Sequence, residues 1–376
     1  MKKNRVFDLK FENKFKKSFL KKFSTILKEG FLSNYTYCRE LEKKFSKYHN
    51  SKYGTAVNSG TGALDVVLRS INIKNKKVLI GSNTFIATAI AVENSGGIPE
   101  MIDIEKNFFS LCPDKLKKRI NKDIGAVIII HIAGLITPRI EEIVKICKKH
   151  NVPLIEDCSQ AHFSKFNNKF AGTFGLAGTF SFFTTKNITS GEGGIIITNN
   201  KKFYMKTKLI RQFGLNPKIK DDHLFFGSNY KLSEINAAFT ISDLERSKMR
   251  LKKRNEIAKR YQDNLKGSQW KCLSPINGYT GYYKQIIISP VKRKYLESYL
   301  KKNNIILTGG VYNVPLHKQS RYKIQNKANK FKYSNFFSDY HLCPPCFPEI
   351  KLYQVDYICK KLLDYEKKFL IGKKTN

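Results

Sequence analysis

Gly54-Thr55-Ala56-Val57-Asn58-Ser59-Gly60-Thr61-Gly62-Ala63-Leu64 reads as a short apolar strand, a tight turn and the opening of a helix. Leu64, Val67, Leu68 and Ile71 then recur at spacings of three to four, one face of an amphipathic helix. A helix that starts directly after a strand aims its free N–H groups and its dipole at one spot, which suits an anion or a phosphate. Taken alone the turn is equally an ordinary Ser/Gly helix start. The same alternation continues outward. Strands are expected at 78–80, 100–104, 126–130, 153–155, 179–183 and 194–198, with helices between them, one over 86–94 ended by Ser95-Gly96-Gly97 and one carrying Ile140, Ile143, Val144 and Cys147 on one face. Continuous apolar strands separated by helices imply a largely parallel sheet covered on both faces.

The pattern predicts a large α/β domain over residues 1–240 and a smaller C-terminal α+β domain over 241–376. In the second part a charged helix is expected at 244–265, a strand at 282–289, a helix at 295–302, a strand at 305–307 and a terminal helix at 353–370. No internal repeat or long linker separates the parts, so they share an interface, a common place for substrates.

Lys and Arg number 69 against 30 Asp and Glu, a formal charge of +39. Hydrophobic residues at 41% exclude a disordered polycation, which lacks the apolar surface to fold. The lysines come as scattered pairs (Lys16-Lys17, Lys76-Lys77, Lys148-Lys149, Lys301-Lys302) among many Asn and Ile, a compositional bias that argues against a dedicated nucleic-acid function. Eight cysteines without framework spacing read as reduced thiols of a cytoplasmic protein, and Cys343-Pro-Pro-Cys346 as local packing. The basic start lacks the apolar stretch of a signal peptide, and no run approaches the ~18 apolar residues of a membrane span. Neither secretion nor a membrane partner is expected, and no metal.

In open α/β sheets ligands bind beyond the carboxyl ends of strands. Glu156 and Asp157 end one strand and point to opposite faces, so one of them can aim at a ligand. Lys186 follows the aromatic strand Thr179-Phe180-Ser181-Phe182-Phe183, and burial there would lower its pKa and favour Schiff-base formation. A phosphate turn, a strand-end aspartate and a desolvated lysine together meet the needs of pyridoxal phosphate.

With these residues in place, the chain resembles the DegT/DnrJ/StrS family of nucleotide-sugar aminotransferases, fold-type I pyridoxal-phosphate enzymes, from about residue 30 to about 348. Asn58 to Leu64 is similar to the family's SGTxAL turn, and Asn83-Thr84-Phe85-Ile86-Ala87-Thr88 to its TF-x-AT segment. His131-Ile132-Ala133-Gly134 resembles its H-x-x-G, Glu156 to His162 its ED-x-x-QAH and Ser181 to Asn187 its SF-x-x-TKN. Gly191-Glu192-Gly193-Gly194, Gly227 to Glu234 and Pro315-Leu316-His317 match three further motifs in order.

The resemblance implies that Lys186 holds the cofactor as a Schiff base and then moves a proton, that Asp157 keeps the pyridine nitrogen protonated, and that Phe85 stacks on the ring. It implies that Gln160 bonds the cofactor hydroxyl, that Gly60, Thr61 and Ser181 hold the phosphate, and that Asn229 reaches the cofactor phosphate of a second subunit in a homodimer with shared sites. Lys231, Tyr312 and His317 are the candidate substrate contacts. Lys231 stands where arginine is common, Ser233 where aspartate is, and Ser33-Asn34-Tyr35 where many relatives carry glycine; lysine lacks arginine's bidentate fork. Relatives with histidine in place of the Schiff-base lysine act as dehydratases, whereas Lys186 is present here. The motif form around Thr189 to Gly194 resembles the perosamine-synthase branch. The expected activity is therefore transfer of an amino group, from an acid such as glutamate, to a nucleotide-linked 4-keto-6-deoxy sugar for surface polysaccharide. A 3-keto nucleotide sugar, a cyclitol ketone, and a noncatalytic regulator or polyanion binder on the same fold stand as alternatives.

Overall fold

The computed structural model describes residues 8–307, 310–323 and 331–371. In chain order the strands are β1 Tyr53–Val57, β2 Lys77–Gly81, β3 Ile98–Ile102, β4 Ile124–Ile130, β5 Leu154–Asp157, β6 Lys165–Phe166, β7 Lys169–Phe170, β8 Ala177–Ser181, β9 Gly194–Thr198, β10 Lys271–Cys272, β11 Gly278–Tyr279, β12 Ile287–Ile288 and β13 His341–Leu342. Seven of them form the main sheet in the order β1-β9-β8-β5-β4-β2-β3. The pairs from β8 to β3 are parallel, while β9 runs antiparallel to both β8 and β1. The carboxyl ends of β1, β2, β4, β5 and β8 therefore open on one edge, where the motifs gather.

The period of two explains the unbroken apolar strands. Along β4, Val127 and Ile129 enter one apolar layer with helices Thr36–Tyr48, Ile140–Lys149 and Glu234–Glu245, while Ala126 and Ile128 enter the other with helices Gly60–Ile71 and Ile86–Asn94. Both faces are covered, so the strands are apolar at most positions, the exceptions being buried polar side chains such as Thr55, Glu156 and Thr179.

Beyond the main sheet the structure departs from the sequence reading at three places. The helix expected at 244–265 is two helices, Glu234–Glu245 and Ser247–Asn264, joined at Arg246, whose guanidinium binds Asp243 and Glu12. Of the strand expected at 282–289 only β12 pairs, with β10 and β13; Arg254 takes the carbonyls of Tyr282 and Tyr283 instead of a strand partner doing so. Residues 305–307 form no strand: Ile305 packs as a core residue after a helix end. A separate apolar cluster runs from Ile257 to Leu362 around Trp270, Tyr261 and the helix Leu352–Glu366. No helix of the described residues is long and apolar enough to cross a membrane. All eight cysteines are free, and Cys343 and Cys346 are buried.

Candidate active site

Helix Gly60–Ile71 starts one turn after β1. Ser59 caps it, its hydroxyl accepting from Gly62 N at 2.9 Å, and Ala63 N donates to the Ser59 carbonyl at 2.9 Å. The N–H groups of Gly60 and Thr61 precede the first helical bond and have no acceptor within the helix. A side chain at Gly60 would put its Cβ 2.8 Å from that of Ser181, so glycine is what lets the helix start lie against the end of β8. The Ser181 hydroxyl accepts from Phe183 N at 3.2 Å, which leaves its own proton to give. Two backbone donors, one hydroxyl and the positive helix end thus meet at one place.

β5 delivers the two carboxylates to opposite faces, as its pleat requires. Asp157 faces the cleft: Oδ1 accepts from Ser159 N at 3.0 Å and Oδ2 from the Thr88 hydroxyl at 3.4 Å. Glu156 faces inward, fully buried, and accepts from Gly172 N at 2.7 Å, Phe174 N at 2.6 Å and Gly175 N at 2.8 Å, while sharing a 2.9 Å bond with His131 Nε2. His131, Glu156 and Cys158 lie close enough to hold a metal ion. The four bonds to Glu156 make that group a clamp on the chain between β7 and β8.

Gln160 is fixed at both ends, its oxygen accepting from Ala133 N at 2.6 Å and its amide nitrogen donating to Tyr312 Oη at 2.8 Å. Burial, with the Asp157 charge beside it, pushes the Tyr312 phenol well above its ordinary range, so it stays a proton donor. Tyr312 also holds φ at +65°, a conformation costly for a residue with a Cβ and found preferentially at functional sites. Phe85, 65% exposed, precedes helix Ile86–Asn94 on the lip of the cleft and offers a free aromatic face.

Lys186 follows a turn in which its own N–H bonds the Phe183 carbonyl at 2.9 Å. Phe180 and Phe182 are fully buried, but Lys186 itself is half-buried, because the turn carries it out of the strand toward the cleft. The apolar setting expected from its neighbours is therefore one-sided. It is supplied by Tyr283, whose ring centroid lies 4.9 Å from Lys186 Nζ. The Tyr283 hydroxyl pairs with that of Thr185 at 3.1 Å; burial raises its pKa, and the charges of Lys186 and Lys284 more than offset this, leaving it below the usual phenol value. Sequence reasoning missed Tyr283. Its only signal was an aromatic pair ahead of an apolar run, nearly a hundred positions from the lysine.

A cavity of about 580 Å³ brings together Gly60, Thr61, Phe85, Asp157, Gln160, Ser181, Lys186 and Tyr312. Three sequence-predicted residues lie outside its walls. Asn229 is exposed, its carbonyl accepting from Asn58 Nδ2 at 3.2 Å. Lys231 rests on the ring of Phe213 at 4.8 Å, and partial burial and the Arg211 charge lower its pKa. His317 is buried, bonded to the Ser82 hydroxyl at 2.5 Å and Asn335 at 3.0 Å and stacked on Phe331 at 4.2 Å; it ties the 315–318 turn to the end of β2.

The donor set fits pyridoxal phosphate. The helix start and Ser181 would hold the phosphate, Asp157 the ring nitrogen, Gln160 the ring hydroxyl, Phe85 the ring face and Lys186 the aldehyde carbon.

Comparison with known proteins agrees. The model of the DegT/DnrJ/EryC1/StrS aminotransferase family matches residues 13–363. The GDP-perosamine synthase of Escherichia coli O157:H7 is 29% identical over 332 residues, 88% of this chain and 90% of its own. The UDP-4-amino-4,6-dideoxy-N-acetyl-beta-L-altrosamine transaminase of Campylobacter jejuni serotype O:23/36 is 30% identical over 347 residues, 88% and 90% of the two chains. Among solved structures, Helicobacter pylori PseC, an aminotransferase of pseudoaminic acid biosynthesis, superposes with a TM-score of 0.86 at 25% identity, over 98% of this chain and all of that one. With the motifs set around one cleft in the arrangement pyridoxal phosphate demands, this chain belongs to the DegT/DnrJ/EryC1/StrS family of pyridoxal-phosphate-dependent sugar aminotransferases.

Proposed function

We propose that the chain transfers an amino group from an amino acid, glutamate first among the candidates, to a nucleotide-linked 4-keto-6-deoxy sugar, yielding an amino sugar for surface polysaccharide. The observation that carries this is the shared cleft of Lys186 and Asp157 beside an open helix N-terminus. Bound pyridoxal phosphate supplies an electron sink for the carbon that loses its proton. The protein's part is to place groups around it. Asp157, oriented by Ser159 and Thr88, presents a carboxylate to the ring nitrogen, and Lys186 Nζ, backed by Tyr283, takes and returns the proton. The relatives' own names, GDP-perosamine synthase and UDP-amino-sugar transaminase, favour a nucleotide-linked substrate aminated at carbon four.

The reading includes a homodimer in the cytoplasm, with Asn229 and Lys231 serving the partner's cleft. Their place outside this chain's own cleft supports it, as do exposed Phe213, Leu224 and Phe226 nearby in sequence, the last 79% exposed. It also keeps the division at residue 240, supported by the distinct apolar cluster beyond Ile257. The test is product analysis. Purified protein incubated with pyridoxal phosphate should turn yellow and change colour with glutamate, and a panel of GDP-, UDP- and dTDP-linked keto sugars should yield one aminated product by mass spectrometry. Amination only of 3-keto sugars or of a cyclitol ketone would move the assignment, and absence of colour would end it.

A further inference from the structure

The side-chain amide of Gln160 has an oxygen and a nitrogen, and its neighbours fix which is which. One end meets Ala133 N at 2.6 Å and the other Tyr312 Oη at 2.8 Å. A backbone N–H can only donate, so the oxygen faces Ala133 and the nitrogen faces Tyr312. That nitrogen can only donate in its turn, which makes the phenol oxygen the acceptor. The hydroxyl proton of Tyr312 therefore points away from Gln160, toward a third group.

Both contacts of Gln160 are held by strained backbone. Ala133 has φ +57° and Tyr312 φ +65°, left-handed conformations that a residue with a Cβ keeps only where its surroundings impose them. Around Tyr312 those surroundings are visible. Its carbonyl accepts from the Ser338 hydroxyl at 3.2 Å, and Val311 beside it is buried with Phe109 and Phe337.

The chemistry of the cofactor says what the proton meets. In pyridoxal phosphate the ring nitrogen and the ring oxygen flank one carbon, and the phosphate arm leaves from the carbon opposite. With Asp157 at the nitrogen, the ring oxygen belongs to the side of the cleft where Gln160 stands, away from the helix start and Ser181 that suit the phosphate. Tyr312 is on that same side, since it touches Gln160 and feels the Asp157 charge.

We propose that the Tyr312 hydroxyl donates to the ring oxygen of bound pyridoxal phosphate, with Gln160 as the positioning residue that aims it. This rests on the pyridoxal-phosphate aminotransferase reading above and deepens it, giving the phenol a cofactor contact where the sequence suggested a substrate contact. Gln160 keeps its second amide hydrogen for the same oxygen. A donor there stabilises negative charge on the oxygen. The nitrogen that joins Lys186 to the cofactor shares its proton with that oxygen, so a stabilised oxygen lets the nitrogen release its proton at lower pH.

The test begins with the full chain loaded with pyridoxal phosphate and titrated with acid and base while its visible absorbance is followed. Tyr312→Phe removes one oxygen and keeps the ring, and should raise the midpoint of the colour change by about one pH unit. Asp157 and Tyr283 face the phenol, and Lys186, Glu192 and Lys284 line the cleft; all five are the same in both proteins, so the comparison isolates the hydroxyl. Equilibrium dialysis of cofactor-free protein gives a readout that a merely structural role would not reproduce. Tyr312→Phe should weaken pyridoxal phosphate about tenfold, and 3-deoxypyridoxal phosphate, which lacks the ring oxygen, by less than about twofold. In a Gln160→Leu background the effect of Tyr312→Phe should shrink, because the phenol has lost its aim. An unchanged or lowered midpoint overturns the proposal, as does an equal loss of both cofactors; effects that simply add overturn the part given to Gln160. The sugar enters neither measurement, so an enzyme that aminates none of the keto sugars fails the functional reading while Tyr312→Phe still decides this one.

Discussion

Lys186 meets solvent on one side and the Tyr283 ring on the other, so its side chain contributes chemistry and little packing. Lys186→Ala should therefore lower turnover by at least roughly 10²–10⁴-fold, the range for a lost proton-transfer group, with an unchanged urea midpoint. Steady-state assay beside circular dichroism checks both halves, and an active variant would remove Lys186 from its role. Asp157→Asn keeps the shape but not the charge. It should weaken turnover over a comparable range while cofactor binding persists, read by absorbance after gel filtration. The placement of these two residues at the cleft was legible in the sequence because Asp157 ends a strand, Lys186 follows one by a short turn, and both sit in dense motifs. His317 was legible as a motif too, yet its meaning was not: its stacking on Phe331 and its bond to Ser82 depend on how the C-terminal part folds back over β2. Tyr283 shows the reverse case, a residue with no motif that the fold carries to the lysine.

At the scale of elements, two motif carboxylates, Glu156 and Glu234, hold backbone and lie outside the walls of the cleft. Glu234, 1% exposed, accepts from Tyr35 N at 2.6 Å, Tyr37 N at 2.6 Å and Cys38 N at 3.0 Å, so a residue heading one helix caps the start of another, Thr36–Tyr48. Glu234→Ala would strand three backbone donors, one buried and two partly buried, and should cost about 3 kcal/mol, seen as a lower urea midpoint. Loss of less than about 1 kcal/mol would show that water replaces the carboxylate without penalty. The strands of the main sheet were readable because burial on both faces favours near-continuous apolar runs. The segment 282–289 also reads as a strand, but it pairs only toward its far end; at its start Arg254 takes the carbonyls of Tyr282 and Tyr283, and no run of letters reveals that a side chain stands there in place of a strand.

Across the whole molecule, acid should unfold the protein earlier than its basic composition suggests. Burial holds His49 and His341 down to about 4 and His162 well below its ordinary value, against 6.5 in an unfolded chain. Between pH 6.5 and about 4 the unfolded state therefore binds protons that the folded state refuses, and stability falls as pH drops, by on the order of 3 kcal/mol for each such histidine. Asp65, raised to about 6 by burial, and Glu105, also raised by burial, act in the opposite sense, since the folded state keeps their protons longer. The histidines outnumber them, so the urea midpoint should decline from pH 7 to pH 5, and a flat or rising profile would contradict the account. If the proposed dimer forms through the exposed aromatic surface, Phe226→Glu should halve the mass by sedimentation and lower activity, whereas an unchanged dimer would place the interface elsewhere. The seating of β9 reaches further still. β1 joins the main sheet through β9 alone, so a strand made early in synthesis must wait for residues 194–198 before it has a neighbour. The phosphate turn after β1 and the lysine turn after β8 come to face each other when that late strand slots between them. On the ribosome, the two turns thus cannot face each other until more than half of the chain has emerged, and the cleft walls at Tyr283 and Tyr312 come later still. A defect in β9, which carries none of the cofactor contacts, would surface as an enzyme born without its coenzyme.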